Sequence, residues 1–162
     1  MKNVLVVATV VIASFVAGIA AAQQKFPQKM STEAARGKYL VQTAGCNDCH
    51  TAGYASSGGR VEEKLWLIGD TLGWRGPWGT TYASNLRLSV KDMTADQFMA
   101  LSRSELRPPM PWFNLRDMTD RDVKAIYAYL KYLGPAGKPA PRYLPPDQAP
   151  AGPVVQFPAP PR

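Results

Sequence analysis

The sequence predicts a small all-α domain. Helix-capping signals recur at three places, around Ser31, Thr94 and Thr119. The segment from 120 to 133 carries an apolar stripe of helical spacing, and no two runs flank a convincing hairpin turn. The domain is small because both chain ends are atypical, which leaves about 105 residues, Met30 to Leu133, for one core.

Residues 1–22 open with Met1 and Lys2 and continue as an apolar run that ends in Ala20-Ala21-Ala22. This pattern reads as a secretory signal peptide cleaved before Gln23, with an uncleaved membrane anchor as the alternative. Residues 23–133 are then the folded domain. Helix one is expected from about Thr32 to Thr43: Ser31 or Thr32 caps it, Glu33 suits its positive end, and Gly45 breaks it. Gly37 is placed to let the last helix approach closely, with Tyr129 or Tyr127 against it. Residues 52–91 are poor in helix signals and rich in Gly and Trp, and read as loops. In MTADQF, Thr94 and Gln97 form a capping box, and Met93 and Phe98 sit at the two staple positions. Thr119 caps the last helix, about Asp120 to Leu133, with Met118 and Val123 in the same arrangement. Gly134-Pro135 stops it. Residues 134–162 hold 10 of the 15 prolines and read as a Pro-rich tail draped on the surface. A docking arm on a partner subunit, anchored by Tyr143, Leu144 and Phe157, is the sharper reading.

The 19 basic and 12 acidic side chains give a net charge of +7, or +6 once Lys2 leaves with the signal. No run of Lys and Arg concentrates it, which argues against nucleic acid and fits an acidic protein partner.

The chemistry is concentrated in CNDCH, residues 46–50, which holds both cysteines and the sole histidine. A Cys46–Cys49 disulfide would close a tiny loop and stabilise little. A thioredoxin-like pair should follow a strand, and a structural zinc site needs four ligands that this chain lacks. C-x-x-C-H is the attachment signature of c-type haem. Cys46 and Cys49, three apart on a helical turn, bond the two porphyrin vinyl groups, and His50 ligates the iron. With one histidine, bis-histidine ligation within the chain is excluded, so the opposite face takes methionine, a weaker ligand or nothing. Met93 and Met118 have staple roles, Met99 lies inside a helix, and Met30 precedes the first one. Met110 stands in PPMPW, where Pro108, Pro109 and Pro111 stiffen the backbone. It is the expected distal ligand, with Met118 as runner-up. Trp66, Trp74, Trp78 and Trp112 are candidates to line the ring, and Arg75 or Arg87 to pair with a propionate.

The stretches GKYLVQTAGCNDCHT (37–51), GPWGTTYASNL (76–86) and PPMPWFNLRDMTDRDVKAIYAYLKYLGP (108–135) resemble class I cytochromes c. The last is similar to the cytochrome subunits of bacterial periplasmic dehydrogenases. The resemblance implies a helical fold with crossed first and last helices around one covalently bound haem c. It also implies Cys46 and Cys49 as thioether anchors and His50 and Met110 as iron ligands. Many class I members carry a Gly-Pro soon after the motif, whose carbonyl orients the histidine. Here the nearest is Gly76-Pro77. The expected function is a periplasmic electron carrier, not an enzyme, relaying electrons from a dehydrogenase to an oxidase or another cytochrome. The rival is a haem enzyme or gas-binding sensor with an open distal position. Membrane association is expected only if the N-terminal segment is uncleaved.

Overall fold

The computed structural model describes residues 29–158, so the expected signal peptide, 1–22, lies outside the described residues. The frame is helical. α1 (Thr32–Thr43) starts where Ser31 accepts from the Ala34 amide at 3.1 Å. α2 (Cys46–His50) follows at once, because Gly45 takes φ 72° and turns the chain between them. α3 (Leu86–Ser89) is a single turn capped by the Asn85 side chain, which accepts from the Leu88 amide at 3.0 Å. α4 (Ala95–Ser102) begins with the reciprocal Thr94–Gln97 capping box, both bonds present. α5 (Trp112–Asp117), which no sequence signal announced, leads into α6 (Asp120–Leu133). α6 is capped by Thr119, which accepts from the Asp122 amide at 3.2 Å.

α1 and α6 form the central packing seam. Val41 meets Val123, Ile126, Tyr129, Leu130 and Leu133 in one buried cluster, completed by Trp66, Leu67, Val90 and Phe98. The seam is close because Gly37 has no side chain: a Cβ there would lie 2.0 Å from the Ala125 carbonyl oxygen and 2.8 Å from Tyr129 Cβ. The neighbour is Tyr129, one of the two tyrosines expected. Its hydroxyl donates to Glu63 at 2.9 Å.

The all-α expectation needs correction. β1 (Gly73–Gly76) and β2 (Gly79–Tyr82) form an antiparallel hairpin around Pro77-Trp78, and β3 (Val154–Gln156) adds to β1 in parallel, giving the order β2-β1-β3. The hairpin escaped detection because its four-residue strands, GWRG and GTTY, lack a sustained alternation and its turn is not an Asn-Gly type. Two glycines are specific to this geometry. A Cβ at Gly76 would strike the Trp78 ring at 2.5 Å, and one at Gly79, φ 102°, would strike the Leu144 carbonyl at 2.3 Å. The third strand comes from the Pro-rich segment, where Val154, Val155 and Gln156 are free of proline and keep their amides. Tyr143, Leu144 and Phe157 anchor this segment on the chain's own hairpin. Thr80 and Leu144 exchange two backbone bonds at 2.8 and 3.0 Å, the Tyr143 hydroxyl donates to the Trp78 carbonyl at 2.7 Å, and Phe157 packs on Trp78 with centroids 5.2 Å apart.

Arg87 is buried, 1% exposed, and its guanidinium caps the end of α6. Nε donates to the Gly134 carbonyl at 2.6 Å, Nη2 to Leu133 at 2.6 Å and Nη1 to Lys64 at 2.8 Å. Arg75 donates to the Pro146 and Gln148 carbonyls, 3.1 and 2.8 Å. Both arginines are thus engaged by backbone carbonyls. Replacing Arg87 with methionine strands three carbonyls, two of them at the end of a helix. Charged donors in such bonds each contribute ~1.5–3 kcal/mol, but methionine is spared the cost of several kcal/mol for burying a cation, so chemical denaturation should show a net loss of about 2–4 kcal/mol. An unchanged midpoint would show that water replaces the guanidinium there.

Candidate functional site

α2 and the segment after it build the histidine side. α2 is held from behind by a short relay: the Thr51 hydroxyl donates to Asn47 Oδ1 at 2.8 Å and accepts from the Leu67 amide at 2.8 Å. Leu67 sits at φ 61°, a conformation that costs a branched residue ~1–2 kcal/mol. It is held there by that bond and by its carbonyl, which accepts from Leu86 at 3.0 Å. The His50 carbonyl accepts from the Gly69 amide at 2.8 Å. Gly69, φ 81°, lies flat on the loop at 83–85, where a Cβ would meet the Ala83 carbonyl and the Asn85 nitrogen at 2.8 Å.

That loop supplies the carbonyl that orients the imidazole. His50 Nδ1 lies 2.8 Å from the Ser84 carbonyl oxygen. A carbonyl only accepts, so Nδ1 carries the proton and Nε2 keeps its lone pair. Burial lowers the imidazole's proton affinity further, against a smaller opposing effect of the Ser84 bond, and so favours the neutral ring. The carbonyl that meets the His50 ring is thus that of Ser84, which acts through its backbone, and not one from Gly76-Pro77. The residue type gives no hint of it. The nearby signal was the Asn85 cap, whose side-chain amide also donates to the Ala136 and Lys138 carbonyls at 2.7 and 3.1 Å and so pins the loop.

His50 opens onto a cleft of about 590 Å³, within the ~300–1,000 Å³ span of cofactor pockets. Cys46 and Cys49 line it, and so do Met110 and Met118. The rest is largely apolar, with Leu86, Val90, Phe98, Leu101, Leu106 and Ile126 contributing. Both cysteines are free thiols. Burial pushes Cys46 up to about 11 and also raises Cys49, helped in each case by the charge of Asp48. Among the described residues no cluster of three His, Cys, Asp or Glu side chains is placed to hold a bare ion. Two thiols, one imidazole with a free Nε2 and two thioethers around a large apolar cleft fit a covalently attached haem.

The cleft separates the other candidates. Of the four tryptophans only Trp74 lines it. Trp66 is in the core, its indole donating to the Val61 carbonyl at 2.8 Å. Trp78 donates to the Thr81 hydroxyl at 3.0 Å, and Trp112 packs with Phe113 and Arg116. Arg75 and Arg87 do not line the cleft. The cation that does is Arg107, which no sequence signal marked out. Met93 and Met99 lie outside the lining, and the Met93 carbonyl accepts from Tyr127 at 2.7 Å.

Comparison with known proteins agrees with this reading. The sequence model of the Cytochrome c family matches residues 34–134. The fructose dehydrogenase cytochrome subunit of Gluconobacter japonicus is 30% identical over 119 residues, covering 66% of this chain and 23% of that protein. A nicotinate dehydrogenase subunit of Pseudomonas putida is also 30% identical over 119 residues, covering 65% of this chain and 9% of its own length. This chain therefore spans less than a quarter of either relative. No solved structure matches it.

Proposed function

Because this chain belongs to the cytochrome c family, matched over most of its folded part, we propose that it is an exported electron carrier whose single haem c is held by Cys46 and Cys49 and ligated by His50 and Met110. The observation that carries this is the convergence of α2 and the loop at 107–111, far apart in sequence, on one apolar cleft. When bound, the haem supplies one-electron transfer between ferrous and ferric iron. The chain's residues do the rest. Ser84 holds His50 in the tautomer that offers Nε2. The apolar lining excludes water, and a thioether favours the ferrous state and a higher potential.

A closed iron leaves no position for substrate. The ionisable groups lining the cleft, apart from the two thiols, are Asp48, His50, Tyr82 and Arg107. No second imidazole is available for acid–base work on a distal ligand. These facts support a carrier over a haem enzyme or gas sensor. The partners we propose are a periplasmic dehydrogenase as donor and an oxidase or another cytochrome as acceptor. The choice of donor follows the two relatives, which are dehydrogenase subunits by name. An acidic docking face on the partner would suit the chain's net charge of +7.

The absorption spectrum of the haem-loaded protein tests this reading. A low-spin iron with the weak near-infrared sulfur–iron band is expected. A high-spin ferric iron, with rapid carbon monoxide binding once reduced, would overturn the closed-iron mechanism.

A further inference from the structure

We propose that the C-terminal segment, residues 134–158, positions the loop that carries Met110, with Thr81 and Tyr143 as the positioning residues. This deepens the His50/Met110 reading and rests on it.

Two routes run from the segment to the loop. In the first, the segment grips the hairpin: Leu144 pairs with Thr80, β3 pairs with β1, and the Tyr143 hydroxyl donates to the Trp78 carbonyl at 2.7 Å. The hairpin then grips the loop. The Trp78 indole donates to Thr81 Oγ1 at 3.0 Å, and the Thr81 hydroxyl donates to the Pro108 carbonyl. In the second, the Arg107 guanidinium lies over the Tyr143 ring, 4.5 Å from its centroid. Arg107 and Pro108 are thus tied from outside on adjacent residues, directly before Pro109 and Met110.

On its far side the loop runs into α5, which Arg103 ties to α4 by donating to the Leu115 and Arg116 carbonyls at 2.6 and 2.8 Å and which packs on the core through Leu115 and Met118. The Met110 amide donates back to the Arg107 carbonyl at 3.2 Å, and the Trp112 amide to the Met110 carbonyl at 2.8 Å. A turn closed on itself fixes its shape but not its distance from the cleft. Thr81 and Tyr143 set that distance on the side before Met110. A thioether is a weak iron ligand, so its occupancy depends on how tightly its loop is held. The proline content of the segment fits this role. It keeps the strap extended and stiff, and the proline-free stretch at 154–156 is where β3 pairs.

The experiment uses the full-length, haem-loaded protein and compares Thr81→Val, Thr81→Ser and Tyr143→Leu with Met110→Ala. Three quantities are read: the sulfur–iron band, the rate of carbon monoxide binding to the ferrous form, and hydrogen exchange of the Met110 and Trp112 amides. Losing one neutral hydrogen bond changes an opening equilibrium by about fivefold. Thr81→Val and Tyr143→Leu should therefore speed carbon monoxide binding and loop exchange by at least that factor and weaken the band. Thr81→Ser, which keeps the hydroxyl, should match the native protein. Native loop exchange in Thr81→Val and Tyr143→Leu would overturn the proposal, as would Thr81→Ser behaving like Thr81→Val. The two readings fail separately. If Met110→Ala keeps the band, the ligand assignment falls, and the strap is judged on loop exchange, which needs no sulfur–iron bond. If Met110→Ala loses the band while the positioning variants exchange at the native rate, the ligand stands and the strap falls.

Discussion

Replacing Met110 with alanine is expected to abolish the near-infrared sulfur–iron band and to lower the reduction potential. Alanine has no donor atom, so on the proposed ligation the iron would keep His50 and gain either water or an empty position. Axial ligands move haem potentials over a range of ~0.8 V, and loss of the thioether should account for a fall on the order of 0.1 V. The ferrous form should then bind carbon monoxide readily. The fold should tolerate the change, because Met110 is only half-buried and lies outside the main cluster. Met118 provides the internal comparison. It also lines the cleft, but it ends α5, where its amide donates to the Asn114 and Leu115 carbonyls at 3.2 and 3.3 Å, and it packs on the core. Met118→Ala should cost stability and leave the band in place. The reverse pattern would move the distal ligand to Met118.

Replacing Gly37 with alanine is expected to destabilise the protein, although alanine is the better helix former. The propensity gain is ~1 kcal/mol. Against it stands a Cβ 2.0 Å from the Ala125 carbonyl oxygen and 2.6 Å from its carbon. Those are backbone atoms of α6, so no side chain can rotate away, and α1 and α6 must separate along the seam that holds Val41, Val123 and Tyr129. Overpacking of this kind typically costs ~1–3 kcal/mol and occasionally more, and a backbone obstacle belongs at the upper end. A net loss of about 2 kcal/mol should lower the melting temperature by roughly 10 °C. Gly37→Leu should exceed it. A melting temperature equal to or above that of the native protein would mean that the seam yields without loss, and that Gly37 is not what sets the helix spacing.

Much of the helical frame was legible because its signals are local. The Ser31, Thr94 and Thr119 caps each bond an amide three residues on, so side chain and target lie in one short stretch of sequence. The spacing of Cys46, Cys49 and His50 is equally local: a single short helix carries all three. Gly37 could be read because a small residue on an otherwise ordinary helix face implies a close neighbour. α5 was missed because Pro111 precedes it without a capping side chain. The tryptophans misled because an indole suits a core, a hairpin or a cleft alike.

Residue types and their spacing were enough to announce the haem, the motif proposed to hold it and the helices at either end. Which carbonyl meets the His50 ring, which cation reaches the cleft and where the Pro-rich segment lies depended on the assembled chain. Every peptide unit offers the same carbonyl, so the letters around Ser84, Thr80 or Leu144 cannot say which of them will pair. That choice is made when distant segments are packed to within about 3 Å of one another, and there Gly69 and Gly79 matter by leaving room.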